Sequence, residues 1–141
     1  MKYDFFVSSR WRNRDRVLDL VARMRAMGKT VYCFLESDYN SERLRQDPEA
    51  EMAAFEATPD WRNDEFVRRV FERDMDGLKS AAKLVLLLPA GKSCHIEAGV
   101  AWGLGKECIL IGDQATAESL YLIFDRVYAD VDGFVASLSP P

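Results

Sequence analysis

One carboxylate stands apart in this sequence. From Cys94 to Gly105 the chain reads CHIEAGVAWGLG, and Glu97 is the only acidic residue in that stretch. A helix that is apolar nearly all round is normally buried. A lone carboxylate on such a helix costs free energy unless it is paired or faces a polar cavity. Its place in the first turns lets the helix dipole favour the ionised form by ~0.3–1 kcal/mol. An ionised, partly desolvated carboxylate at a ligand-binding edge suits a nucleophile. The plainer alternative is an exposed glutamate that only complements the dipole, and the apolar context weighs against it. A capping box does not explain it either. With Ser93 as the N-cap, the box position is Ile96.

The other candidates each carry two readings. Asp74 shares a charged helix with Glu72, Arg73 and Asp76, so on its own it reads as part of a solvated face, and Asp76 is a weaker substitute for any acid role. His95, the only histidine, either relays a proton near neutral pH or packs as an ordinary helix residue. Ser93 suits an N-cap, and the free N–H groups beside it suit a phosphate or a sugar hydroxyl. Gly91 allows a ligand to approach the backbone. Ser8 and Ser9 follow an apolar run and either touch ligand or shape a turn. Arg10, Arg12 and Arg14 suit one phosphate of a small ligand, or else a solvated helix start. Trp11 and Trp61 either stack a base or pack. Cys33, Cys94 and Cys108 have no CxxC spacing, so free buried thiols are expected and no metal site.

These side chains need a scaffold, and the sequence supplies one in alternating segments. Strands are predicted at 3–7, 30–35, 83–88, 107–111 and 126–129. Helices are predicted at 12–27, with Gly28 closing it, at 61–82 after an Asp60 cap, at 93–105, at 117–122 and at 131–138. The polar region 36–60 is read as carrying short helices at 41–45 and 50–57, punctuated by Pro48 and Pro59. The run Leu84-Val-Leu-Leu-Leu88 fits a strand covered on both faces. Strands alternating with helices imply an α/β fold: a doubly wound, mostly parallel five-stranded sheet with helices on both faces, flavodoxin- or Rossmann-like. Ligands bind such sheets beyond the carboxyl ends of the strands. That rule selects 8–13, 36–39 and 90–97.

Composition narrows the class. The 141 residues are 48% hydrophobic and 30% charged, which suits one globular domain spanning 1–141. A net charge of -4 with no basic stripe argues against nucleic acid as a partner. The longest strongly apolar run is too short to cross a bilayer, and no signal-peptide pattern opens the chain, so a soluble cytoplasmic protein is expected.

The stretch from Leu86 to Lys106, LLLPAGKSCHIEAGVAWGLGK, resembles the signature of the nucleoside 2-deoxyribosyltransferase-like superfamily. A small-residue turn precedes Glu-x-Gly-x-Ala, then Gly-Lys and a further strand. Asp74-Met-Asp-Gly-Leu78 resembles the Asp-x-x-x-Leu element of that superfamily, and the start FFVSSRWRN, Phe5 to Asn13, its first strand and substrate loop. The Glu118-Ser-Leu-Tyr121 segment and the last helix are similar to its shorter members. By that resemblance Glu97 is the nucleophile that attacks C1′ of a nucleoside or nucleotide, and Asp74 handles the proton of the departing base. It also implies a homodimer or larger assembly and no cofactor. The sequence departs from the pattern in three places: Phe5 and Phe6 where relatives often have a tyrosine that steadies the nucleophile, Gly91 where many have Asp or Ser, and Ala82 where many have an acid. Two other readings stand beside the N-glycosidase or transferase: a nucleotide-binding module without chemistry, and a NAD glycohydrolase of the Toll/interleukin-1-receptor-like kind, which the Glu97-Ala-Gly context disfavours.

Overall fold

The computed structural model describes residues 1–37 and 47–139. The predicted helix at 41–45 and the closing Pro140-Pro141 lie outside the described residues. Five strands form one sheet: β1 (Tyr3–Ser8), β2 (Val31–Cys33), β3 (Ala81–Leu87), β4 (Glu107–Ile111) and β5 (Arg126–Tyr128). Their order is β2-β1-β3-β4-β5 and every pairing is parallel. The expected mostly parallel sheet is thus wholly parallel. The helices are α1 (Arg14–Ala26), α2 (Pro48–Glu56), α3 (Glu65–Lys79), α4 (Lys92–Gly103) and α5 (Val131–Ala136).

Strand alternation sorts the core into two layers. Phe5, Val7, Val31, Cys33, Val85, Leu87, Ile109 and Ile111 meet α1 and α5 through Val17, Leu20, Val21, Met24 and Phe134. The opposite face carries Phe6, Leu84, Leu86, Cys108 and Leu110 against Leu78 of α3 and Cys94, Ala98 and Ala101 of α4. Leu84, Val85, Leu86 and Leu87 are all 0% exposed, as a central strand covered on both sides requires. Each such side chain contributes ~1.5–3 kcal/mol of burial.

Element ends differ from expectation for local reasons. Residues 61–63 form a 3-10 turn, and α3 starts at Glu65 because the Asp64 carboxylate accepts the Val67 N–H, while Asp60 adopts φ 44°. The predicted helix at 117–122 is a 3-10 helix, Ser119–Ile123. β2 stops at Cys33, where a 3-10 turn buries Leu35 and sets Glu36 on Arg25 at 2.6 and 2.7 Å. Helix α4 opens with Gly91 as N-cap, so Ser93 lies inside the first turn and is exposed. All three cysteines are free and buried. Among the described residues no helix is long and apolar enough to cross a membrane.

β1 pairs with β2 on one side and β3 on the other, and the chain winds outward in both directions from this pair. The carboxyl ends of β1 and β3 therefore flank the switch point, the preferred ligand crevice of such sheets.

Candidate active site

Three of the candidate residues converge at that crevice. Ser8 ends β1 on the same face as Phe6, and its Oγ donates to Glu97 Oε1 at 2.8 Å. Glu97 lies in the second turn of α4, partly open to solvent beside the buried Cys94 and Ala98. Burial raises its pKa to about 8, and the charge of Asp74 on α3 adds to the rise, while the Ser8 hydroxyl opposes it. Asp74 in turn accepts a hydrogen bond from the Tyr32 hydroxyl of β2 at 2.9 Å. Four elements thus place a hydroxyl, two carboxyls and a phenol around one point. Cys94 registers the same field: burial first, then the charge of Glu97, push its thiol up to about 11.

The charge state of Glu97 differs from the expectation drawn from the helix dipole. A dipole contribution of ~0.3–1 kcal/mol moves a pKa by less than about one unit. Burial beside a second carboxylate outweighs that and favours the protonated form of Glu97. A carboxyl whose proton affinity is raised by the charge of a second one fits a site in which nucleophile and acid roles are divided.

The remaining candidates are placed as follows. Ser9 is buried; its Oγ donates to the Leu87 carbonyl at 3.0 Å and accepts from Asn13 Nδ2 at 3.0 Å. Asn13 also donates to the Pro89 carbonyl at 2.6 Å, which ties the loop after β1 to the loop after β3. Trp11 is buried and packs on Phe34. Arg12 is held by Glu49 and Glu56 of α2 at 2.7 and 3.3 Å, and Arg14 pairs with Asp15. The Arg10 Nε is buried without a hydrogen-bond partner among the described residues.

His95 belongs to a neighbouring cleft, and Gly91 supplies it a carbonyl from the α4 N-cap. Two residues apart on a helix, His95 and Glu97 lie ~200° apart around α4. His95 Nδ1 meets the Gly91 carbonyl at 2.7 Å, and Nε2 meets the Tyr121 hydroxyl at 2.6 Å. Because a carbonyl only accepts, the Nδ1 position carries hydrogen, and neutral His95 accepts from Tyr121. The cleft beside them has a volume of about 670 Å³ and is lined by Leu88, Ala90, His95, residues 112–118 and Tyr121. Glu97 does not line it.

No family model matches the sequence, and no curated protein matches it. Solved structures do. A 2-deoxyribosyltransferase from Bacillus psychrosaccharolyticus aligns with a TM-score of 0.65 at 16% identity, over 96% of this chain and 95% of its own. The CMP N-glycosidase BcmB of Clostridium botulinum aligns with a TM-score of 0.53 at 16% identity, over 95% and 96%. The chain has the deoxyribosyltransferase-like fold. At this identity the likeness is one of fold, and it spans nearly the whole chain.

Within the deoxyribosyltransferase-like fold, reasoning on the sequence missed Tyr32. Phe5 and Phe6 hold the first strand, and the Tyr32 hydroxyl that donates to Asp74 comes from β2. Its ring stacks on Phe6 with centroids 5.2 Å apart and planes 4° apart. The available signal was alternation: Val31 and Cys33 are buried on the α1 face, so Tyr32 must point to the α3 face.

Proposed function

We propose that this protein cleaves or transfers at the N-glycosidic bond of a nucleoside or nucleotide, with Glu97 as nucleophile and Asp74 as acid. The observation that carries the reading is the Ser8–Glu97 hydrogen bond at the switch point, with the Asp74 charge acting on the same carboxyl. The fold shared with a 2-deoxyribosyltransferase and a CMP N-glycosidase supports it.

The chemistry follows from one shared proton. In the free protein Glu97 holds it and Asp74 is the charged partner. With substrate bound, that proton passes to Asp74, and a Glu97 oxygen attacks C1′. The C1′–N bond breaks with its electron pair going to the base, and Asp74 delivers the proton to the departing nitrogen. The ester on Glu97 is then resolved by water, or by the nitrogen of a second base, with Asp74 accepting the proton. The division of roles parallels that of retaining glycosidases. No metal or redox group enters these steps.

The test is base release. Purified protein is incubated with ribo- and deoxyribonucleosides and their monophosphates, with and without a second free base, and products are separated by chromatography. Release by the parent, with loss of at least ~10³-fold in Glu97→Gln and ~10²–10⁴-fold in Asp74→Asn, is expected. A new nucleoside marks a transferase. Ligand-induced stabilisation without release identifies a binding module instead.

A second copy of the chain is part of this reading. Along α4, Ile96, Trp102 and Leu104 are 64%, 57% and 53% exposed, and Phe71 on the neighbouring α3 is 62% exposed. Side chains of this size on one pair of helices suit a self-complementary interface. Sedimentation of the parent as a dimer, and of Ile96→Glu as a monomer, is the expected result.

A further inference from the structure

Tyr32 is gripped on three sides. Phe6 stacks on its ring, and Tyr3 meets it edge-on with centroids 5.6 Å apart. On the third side stands the backbone of α3 at Gly77. A Cβ built on Gly77 would lie 2.6 Å from Tyr32 Cδ2, so any larger residue there collides with the ring. Gly77 lies three residues after Asp74 on the same helix face, so the gap that admits the ring also aims the phenol at Asp74. The phenol oxygen has a further partner in Ser37 Oγ at 3.2 Å. Burial, followed by the charge of Asp74, holds the Tyr32 phenol well above its ordinary pKa, so it stays a proton donor across the working range.

We propose that Tyr32 is a positioning residue of the Glu97–Asp74 site: clamped between Phe6 and Gly77, its hydroxyl fixes the orientation of the Asp74 carboxyl. The inference rests on the functional reading above and adds to it the side chain that orients the acid. A donor to one carboxylate of a close pair favours ionisation of that one. Ser8 donates to Glu97, and Tyr32 donates to Asp74. Tyr32 donates to Asp74 from β2 and itself meets Ser37, and the charge of Asp74 acts on Glu97 of α4. Arg73 and Asp76 share its helix.

The variant is Tyr32→Phe, which keeps the stacked ring and removes only the hydroxyl. Carboxyl carbon-13 titration of parent and variant reads the pair directly and needs no turnover. The Asp74 midpoint is expected to rise in Tyr32→Phe. An unmoved Asp74 midpoint overturns the proposal, whatever the activity. Where base release is measurable, kcat is expected to fall about 10-fold or more with KM changed less than threefold, and the acidic limb of the pH profile to move upward. In an Asp74→Ala background the same Tyr32→Phe change is expected to cost almost nothing, because its partner is gone. A Tyr32→Phe loss that persists undiminished in Asp74→Ala overturns the positioning role. Failure of the parent to release base from any nucleoside or nucleotide counts against the glycosidic reading, while the titration still decides what Tyr32 does.

Discussion

Ser8 and Glu97 are 89 residues apart in the chain and joined by a 2.8 Å hydrogen bond from hydroxyl to carboxyl. The bond fastens the second turn of α4 to the carboxyl end of β1. It also holds down the proton affinity that burial raises on Glu97. Ser8→Ala is therefore expected to raise the Glu97 pKa above about 8 and to lower base release about 10-fold. On the proposed mechanism the singly protonated pair is the active form, so the rate is expected to fall above about pH 8 as that proton is lost. In Ser8→Ala that alkaline limb moves to higher pH. A pH–rate series on the two proteins measures both effects.

Glu97 also links pH to stability. Its ordinary value is 4.5 and its folded value about 8, so the folded chain binds this proton more tightly than the unfolded chain does. The associated stability is complete below about pH 4.5, declines as pH rises, and is gone above about pH 8. Glu97→Gln keeps the amide oxygen for Ser8 and removes the charge. Its Tm is expected to exceed that of the parent at pH 8.5, by about 3 °C for each kcal/mol regained, with no such gain at pH 4.5. Thermal melts at the two pH values check this.

Two glycines on the α3–α4 side should respond in opposite directions. Gly77→Ala drives a methyl to within 2.6 Å of the Tyr32 ring and is expected to destabilise by about 1–3 kcal/mol, with lost activity. At Gly99 of α4 a Cβ meets nothing within 4 Å, so Gly99→Ala is expected to gain about 0.5–1 kcal/mol from helix propensity. Urea unfolding of both variants measures the contrast.

Arg10 is the candidate for a substrate phosphate. Arg12 and Arg14 are engaged by acids, whereas the Arg10 Nε is buried with no acceptor among the described residues. A buried donor without a partner costs about 1–3 kcal/mol, which a phosphate oxygen would offset. Arg10→Ala is expected to raise KM for a nucleoside monophosphate about 10- to 100-fold while leaving KM for the free nucleoside nearly unchanged. Steady-state kinetics on the two substrates separate these outcomes.

The parts of the site that were legible in the sequence are those set by local pattern. Glu97 stood out because its helix is otherwise apolar, and Ser8 because it follows an apolar strand. The strand and helix alternation was enough for a parallel, doubly wound sheet. What was hidden depends on distant partners. The Tyr32–Asp74 contact needs the β2-β1 pairing and the height of α3 above it. The proton on Glu97 needs the depth of burial and the nearness of Asp74, neither of which a helix wheel records. His95 shares a turn with Glu97, yet it faces another cleft with Tyr121. At the start of α3 two aspartates compete, and only the Asp64 bond to Val67 N–H decides between them.

The central claim is that Glu97 forms a bond to the sugar. A nucleoside carrying fluorine at C2′ slows release of a glycosyl ester, so incubation followed by proteolysis and mass spectrometry captures the intermediate. The account predicts a fluoro-sugar adduct on the peptide that contains Glu97, accompanied by free base and absent from Glu97→Gln. An adduct on a different residue, or base release by Glu97→Gln at the parent rate, contradicts it.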